Sequence, residues 1–418
     1  MKNVKIFAKT VDETAINQIE KLTEQEAFKN EKIRIMSDVH TGKGCVIGFT
    51  STIGDKIIPN IVGVDLYCGM LLVKLGNIEL DLKNIDNTIK EKIPAGFNVH
   101  EKLEIDEELE NLYKEIENMK CFSQIKYNKN IKLGVGTLGG GNHFIEIDID
   151  SKGNKYLVIH SGSRNLGSQV ASIYQKRAID YCHGGKIDFV EKTRIIEELK
   201  KCGKEKEIQK YLANAVIEAK DKDIEEELCY LEGEDKDNYL HDIKVCYTYS
   251  NLNRRKMALN ILKAIFKDVK FENNYFICDG NILESFETLH NYIDLEHGFI
   301  RKGAVSSQKD EMLLIPINMK DGSLICRGLG NEDWNYSAPH GAGRLMSRKQ
   351  AIKNISINDY KDSMKDIYSS TVYITTIDEA PKAYKPIEEI KECIQPTVEI
   401  IEQIKPIYNF KASEEKLV

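Results

Sequence analysis

Five side chains of the kinds that bind metal ions stand beside glycine or asparagine or at the ends of apolar runs. They are Asp65 and Cys68 in "GVDLYCGM", His143 in "GGGNHF", His160 in "VIHSGSR" and His290 in "TLHNY". Each residue alone could simply pack or hydrogen-bond, but carboxylate, thiolate and imidazole together form a metal-binding set. Five candidates exceed the need of one tetrahedral ion, and two ions that share a thiolate would use them economically. Such a pair suits phosphoryl transfer, where the ions stabilise the attacking and leaving oxygens.

A sixth side chain, His340, lies in the stretch "NYSAPHGAGR". Pro339 fixes the backbone before it, and Gly341 and Gly343 allow backbone conformations that other residues rarely adopt. A phosphate could therefore approach this loop closely, and the Arg344 guanidinium could hold it. The ten residues alone are more typical of a tight loop that carries a surface histidine.

The segment "GTLGGGNHFIEI" adds a second phosphate-binding pattern. Its glycines let several backbone N–H groups face one anion. Asn142 and Glu146 flank His143, and a carboxylate there could bind a sugar hydroxyl or a guanine edge. No Gly-Lys-Ser/Thr follows, so the segment is not a P-loop, and no clear helix follows, so it is not a dinucleotide-binding fingerprint.

Bulk properties narrow the class of protein. The chain has 418 residues, 41% of them hydrophobic, and ten cysteines without paired spacing, which favours a reducing compartment. We find no secretory signal and no membrane-spanning run, so we expect a cytoplasmic protein with no membrane partner. The net charge of −7 means that nucleic acid would need a local basic patch or bound metal ions. The candidate patch residues are Arg164, Arg254, Arg255, Arg301, Lys302, Arg344 and Arg348.

The surrounding pattern predicts an α+β fold, with one mixed β-sheet as its core and helices flanking it. Strand-like runs with glycine turns occupy about residues 43–76, 131–162 and 275–345. A charged block with helical periodicity at about 186–267 predicts a helical insertion that serves as scaffold and solvated surface. The end of the chain predicts one or two short helices and a terminal strand or loop. We therefore expect one domain, 1–418.

The motifs together resemble those of the RtcB-type RNA ligases. "MSDVHTGKG", "GVDLYCGM", "GTLGGGNHF", "HSGSR", "NLNRR", "LHN", "RKGAV" and "HGAGR" occur in the order seen in that family, from about residue 30 to the end. The resemblance implies an RtcB-like fold and a ligase that uses GTP and two Mn²⁺ ions. Such a ligase joins an RNA 3′-phosphate or 2′,3′-cyclic phosphate end to a 5′-hydroxyl end in tRNA splicing or RNA repair. An archease-type activating protein is a possible partner.

The same resemblance assigns roles to residues. His340 becomes guanylylated, Cys68 bridges the two ions, and the other metal ligands are those named above. The expected nucleotide contacts are Asn142, Glu146, Asn291, Asn318, Ser323, Gly341, Gly343, Tyr384 and Lys411. One segment departs from the family pattern: "IPINMKDGS" replaces "IPGSMG", so that Asn318 stands where a serine is usual and Ser323 follows five residues later.

Two alternatives remain open from the sequence. One is a metal-dependent phosphoesterase or nucleotidyltransferase with another substrate. The other is a non-catalytic protein that binds RNA ends.

Overall fold

The computed structural model describes residues 3–186, 189–214 and 216–411. Its helices are α1 Glu13–Thr23, α2 Pro59–Val62, α3 Leu82–Lys92, α4 Glu107–Glu117, α5 Lys129–Lys132, α6 Arg164–His183, α7 Phe189–Lys201, α8 Ile208–Asn214, α9 Gly233–Leu262, α10 Arg348–Asn354, α11 Ile357–Ser363 and α12 Ile387–Ile394. Its strands are β1 Val4–Ile6, β2 Ile33–His40, β3 Ile47–Thr52, β4 Gly69–Gly76, β5 Phe144–Ile149, β6 Lys155–Ser161, β7 Gly185–Lys186, β8 Val216–Ile217, β9 Val269–Glu272, β10 Tyr275–Cys278, β11 Asn281–Leu283, β12 Ser285–Leu289, β13 Asn291–Asp294, β14 Phe299–Lys302, β15 Ala304–Ser306, β16 Met312–Asn318, β17 Gly322–Gly328, β18 Ser337–Pro339 and β19 Val398–Lys411. The predicted α+β class is confirmed.

The largest sheet has seven strands in the order β12-β4-β6-β5-β19-β17-β16, and every neighbouring pair is antiparallel. Ile145 and Ile147 of β5 pack into one hydrophobic cluster, while Phe144 belongs to another. This alternation is the side-chain period of a strand. It places Glu146 on the same side of β5 as Phe144.

A second sheet has five strands in the order β1-β2-β3-β14-β13, with β1 parallel to β2. The strands thus divide between two large sheets and smaller ones, where we predicted one sheet. The difference has a simple cause: residue patterns identify strands, but hydrogen-bond partners here are often far apart in sequence, as in the pairing of β5 with β19.

The charged block contains the predicted helices α7, α8 and α9, but α9 is not solvated surface. This 30-residue helix buries Tyr239, Ile243 and Tyr249 in one hydrophobic cluster and Met257 and Ile261 in the next. The prediction was wrong for α9 because it was based on the charge of the whole block, although α9 carries many apolar residues. Residues 187–188 and 215 of the predicted insertion lie outside the described residues.

The segment that precedes the predicted ligands Asp65 and Cys68 also differs from the prediction. Part of the segment interpreted as strand forms the short helix α2, and Asp65 and Cys68 lie in the turn that precedes β4. All ten cysteines are free thiols. None of the described helices combines the length and apolar character needed to cross a bilayer.

Candidate metal and nucleotide site

The five predicted metal ligands come together although they lie on separate parts of the chain. The Cys68 Sγ lies 3.2 Å from the His160 Nε2 and 3.4 Å from the His143 Nε2. The His143 Nε2 lies 3.0 Å from the Asp65 Oδ2, and the Nε2 atoms of His160 and His290 lie 3.3 Å apart. The ligand atoms of Cys68, His143 and His160 all lie within 4.8 Å of one another, which is close enough for the three to bind one ion.

Backbone carbonyls orient two of these imidazoles. The His143 Nδ1 lies 2.7 Å from the Leu138 carbonyl oxygen, and the His160 Nδ1 lies 3.2 Å from the Asn142 carbonyl oxygen. A carbonyl accepts only, so each Nδ1 carries the proton and each Nε2 presents its lone pair. The same arrangement orients histidine ligands in metal sites.

The electrostatics of the cluster fit a cation. Burial raises the pKa of the Cys68 thiol well above its ordinary value, and Asp65 raises it further. Burial also lowers the pKa values of His160 and His290 well below the ordinary value. Neutral imidazoles are the form that binds a metal, and a bound cation would reverse the cost of ionising the thiol. The donor set therefore fits the predicted metal centre.

His340 lies beside this cluster and is held by a carboxylate that the sequence analysis did not name. Its Nδ1 lies 2.6 Å from the Asp38 Oδ2, and its backbone N–H donates to the same oxygen at 3.2 Å. Asp38 is fully buried near the C-terminal end of β2, whereas the His340 side chain is 20% exposed. The His340 and His290 ring centres are 5.1 Å apart. Because Asp38 occupies Nδ1, the Nε2 of His340 is the nitrogen free to react.

Packing against β2 explains one glycine of the loop that follows His340. Gly343 has φ 73°, and a β-carbon there would lie 2.6 Å from the Asp38 carbonyl oxygen. Only glycine fits this approach. The requirement comes from packing against β2, so the predicted close approach of a phosphate is not needed to explain this residue.

A cavity of about 940 Å³ opens beside the cluster. Its wall includes Asp65, Cys68, His160, His290 and His340, and the predicted nucleotide residues Asn142, Glu146, Asn291, Asn318, Gly341, Gly343, Tyr384 and Lys411. His143 lies behind the wall. Ser323 is not part of the wall: it is buried in β17 between neighbouring strands, and its hydroxyl has no hydrogen-bond partner there.

A second group of charges lines the cavity, where cations and a tyrosine surround Glu379. Its carboxylate lies 2.9 Å from the Lys411 Nζ, 3.2 Å from the Arg344 Nη1 and 2.7 Å from the Arg348 Nη1. The Tyr384 hydroxyl donates to it at 2.6 Å. Burial alone would raise the pKa of Glu379, but these cations lower it to about 2. Glu379 therefore stays ionised and fixes Tyr384 and Lys411 in place.

Comparison with known proteins agrees with this geometry. The family described as "tRNA-splicing ligase RtcB" matches residues 18–412. The chain belongs to the RtcB family. An RNA-splicing ligase RtcB1 from an Escherichia coli strain is 30% identical, over 92% of this chain and 91% of that protein. An RNA-splicing ligase RtcB from Escherichia coli K12 is 29% identical over the same shares. A tRNA-splicing ligase RtcB from Aeropyrum pernix is 24% identical, over 86% of this chain and 83% of its own.

Membership in the RtcB family confirms the predicted enzyme class, an RNA ligase, and the RtcB-like fold. The individual site residues remain predictions, which the geometry above supports to different degrees. Asn318 uses its side-chain oxygen to accept N–H groups from Lys320 and Asp321 at 2.9 Å each, so this side chain stabilises the turn between β16 and β17. Asn291 likewise accepts the Gly303 N–H at 3.0 Å.

The predicted basic patch of this RtcB-family protein is largely wrong. Arg254 and Arg301 are fully buried and paired with Glu287 and Asp294, and Lys302 is buried against the Lys43 carbonyl. Arg255 is mostly covered and pairs with Glu108. Arg164 donates to Gly96 and Thr137. Arg344 donates to Glu379, Tyr384 and two carbonyls, so its predicted role as a phosphate clamp is not supported. Arg348 keeps 47% of its side chain exposed.

Arg254 instead holds the backbone next to two of the predicted metal ligands. Its guanidinium donates to the carbonyl oxygens of Tyr67 at 3.1 Å and Ser161 at 2.8 Å. These residues adjoin the ligands Cys68 and His160. Its ion pair with Glu287 at 2.8 Å makes it a structural residue, where we had predicted an RNA contact.

This position yields a stability prediction. Arg254→Met should lower the free energy of unfolding by about 3–5 kcal/mol, because it leaves Glu287 without its buried partner. Urea unfolding measures the change. Arg327→Met is the matched control, since Arg327 is 46% exposed beside Glu399, and it should cost less than about 1 kcal/mol. An Arg254→Met protein of unchanged stability, with weaker and less salt-dependent RNA binding, would restore the RNA-contact interpretation.

Sequence reasoning missed three residues that build this RtcB site: Asp38, Glu379 and Asn253. Asp38 lay within the quoted "MSDVHTGKG" motif, which was a usable signal. Asn253 accepts the Gly136 and Thr137 N–H groups and donates to Ser161 and Gly162, and it lay within the quoted "NLNRR" motif. Nothing in the sequence around Glu379 indicated its role.

Proposed function

We propose that the protein joins RNA 3′-phosphate or 2′,3′-cyclic phosphate ends to 5′-hydroxyl ends, using GTP and manganese. The observation that carries the proposal is the position of His340. It is fixed by Asp38 on one nitrogen and its ring lies beside that of His290, at the wall of a cavity large enough for a nucleotide. Ends of this kind arise in tRNA splicing and in RNA cleavage that requires repair.

In this proposal, Asp65, Cys68, His143, His160 and His290 hold two Mn²⁺ ions, with Cys68 shared between them. Five donors for one ion would crowd the tetrahedral arrangement that cysteine and histidine favour. When bound, the ions neutralise charge on phosphate oxygens. They also supply positive charge where a chain of net charge −7 meets a polyanion.

His340 acts as the nucleophile. Its Nε2 attacks the α-phosphorus of GTP, the new N–P bond forms, and the bond to the pyrophosphate oxygen breaks. The Nδ1 proton stays on the hydrogen bond to Asp38, which stabilises the positive charge that develops on the ring. The GMP group then passes from Nε2 to the RNA 3′-phosphate, and the 5′-hydroxyl displaces it.

In this proposal, guanine would bind in the part of the cavity lined by Glu146 and Tyr384. Glu146 is buried, and burial raises its pKa to about 7, although its hydrogen bond with Asn409 and the nearby Lys411 oppose that rise. A carboxylate at this position can accept two N–H groups from a guanine edge. Tyr384 offers an aromatic face, held in place through Glu379. Asn142, Asn291 and Asn318 line the same cavity and would also contact the nucleotide.

We infer that the protein works in the cytoplasm, where its ten free thiols would remain reduced. An archease-type activating protein remains a predicted partner. It should raise the ligation rate when added to the purified protein.

A ligation assay tests the function. The protein is incubated with Mn²⁺, GTP and an RNA that carries a 2′,3′-cyclic phosphate at one end and a 5′-hydroxyl at the other. We expect a GTP-dependent joined product, and no joining of RNA with 3′-hydroxyl and 5′-phosphate ends. Trimming of the ends without joining would favour a phosphoesterase, and binding without chemistry would favour a non-catalytic end-binding protein.

A further inference from the structure

Phe97 is the most exposed large hydrophobic side chain in the described part of the chain, with 85% of its surface open to solvent. Single apolar residues on a surface are common and need no explanation by themselves. Two features set this one apart: the rigidity of the turn that carries it, and the connection of that turn to the metal cluster.

The turn is rigid because it is anchored at both ends. The Asn98 N–H donates to the Ala95 carbonyl at 3.3 Å, and Gly96 supplies the φ of 65° that the turn requires. The Gly96 N–H donates to the Gly139 carbonyl at 2.8 Å, and the Arg164 guanidinium donates to the Gly96 carbonyl at 3.2 Å. Phe97 thus projects from the tip of a turn whose backbone is fixed.

The same backbone reaches the metal ligands in two steps. The Leu138 N–H donates to the Pro94 carbonyl at 2.9 Å, and the Leu138 carbonyl accepts from the His143 Nδ1 at 2.7 Å. The Arg164 guanidinium that holds Gly96 also packs over Gly139 of the glycine-rich loop. Phe97 is therefore held at the outer edge of the loop that positions His143.

We propose that Phe97 is a stacking platform for an unpaired base of the RNA, next to the end that is joined. The inference rests on the proposed function. An aromatic ring exposed to water gains little from its own fold, but every nucleobase has a face on which it can stack, whatever the sequence. Asn142, in the loop that carries His143, lines the cavity, so an RNA end in the cavity would lie close to that loop. A ring on a backbone that is already ordered there would bind a base at a lower entropic cost and align the end.

The proposal predicts a requirement for an aromatic ring and no other feature of Phe97. Phe97→Ala and Phe97→Leu should each raise the KM for RNA about tenfold, and Phe97→Trp should behave like the wild type. Covalent labelling by GTP should be unchanged in all three, because that step needs no RNA. Tyr275→Ala is the matched control, since Tyr275 is an aromatic residue 52% exposed on β10. It should have no effect.

A binding measurement separates this inference from the proposed function. Short single-stranded RNAs carry the fluorescent base 2-aminopurine at one of the two positions nearest either end. We expect the wild type and Tyr275→Ala to quench one of these probes and Phe97→Ala to leave it bright. This readout needs no ligation, so it holds even if the wild type joins no RNA and the proposed function fails. Equal quenching by Phe97→Ala, full activity of Phe97→Leu, or a defect that appears only with an added activating protein would overturn the proposal. The last result would make Phe97 a protein-docking residue.

Discussion

His340→Ala should abolish covalent labelling by radioactive GTP, a loss of about three orders of magnitude or more. The reason is that, among the described histidines of the cavity wall, His340 is the one whose Nδ1 meets a carboxylate. The Nδ1 atoms of His40 and His160 meet backbone carbonyls instead. The label on the wild type should be retained after denaturation, be labile in acid and to hydroxylamine, and be stable in alkali, as a phosphoramidate is. Mass spectrometry should locate it on His340.

One control sharpens this expectation. His340→Ala should still join an RNA whose 3′ end already carries the guanylyl group, because that step does not need the nucleophile. Label that persists in the variant, or that maps to a lysine such as Lys411, would show that His340 is not the nucleophile.

Asp38→Asn offers a graded version of the same test. The amide keeps the size of the carboxylate but removes the charge that stabilises the developing imidazolium, and it can leave the wrong nitrogen protonated. Guanylylation should fall by roughly two to four orders of magnitude, while Mn²⁺ content stays at the wild-type level. Simultaneous loss of metal would assign Asp38 to the metal cluster instead.

The cluster of candidate metal ligands could be predicted because residue type carries much of the chemistry. The chain has only ten cysteines and nine histidines, and the structure brings the five candidates together. The sequence could not show which atoms meet. Asp38 and His340 are 302 positions apart, and they meet because β18, which ends just before His340, contacts β2 in the folded chain.

The predicted basic patch was wrong because residue type does not show whether a cation is exposed or buried. A cation in a sequence is ordinarily interpreted as exposed, since burying it without a partner is costly. Arg254 and Arg301 are both buried and have partners, Glu287 and Asp294. Glu287 lies on β12, 33 positions from Arg254, and Asp294 lies on the strand that pairs with that of Arg301. Neither pair can be recognised before the strands and helices are placed. The same limit explains why α9, which carries Arg254, was interpreted as surface.

Cys68→Ala should abolish metal-dependent guanylylation and leave the fold intact. Cys68 is the one thiol within contact distance of two ligand histidines, His143 and His160, among the residues that the structure describes. Removing the thiol takes a negative ligand from the place where two cations would be closest, so both ions should bind more weakly. Metal content measured after dialysis should fall from about two Mn²⁺ ions per chain toward zero, with circular dichroism unchanged.

The comparison with Cys326→Ala decides whether the thiolate matters as a ligand. Cys326 is also fully buried, and burial raises its pKa to about 12, but it lies on β17 among apolar side chains. Its removal should reduce stability by a packing term of about 1 kcal/mol and leave metal content and labelling unaffected. A Cys68→Ala protein with two ions and normal labelling would exclude a shared thiolate. A protein that loses one ion and keeps the other would assign Cys68 to a single ion, since a bridging ligand contributes to both.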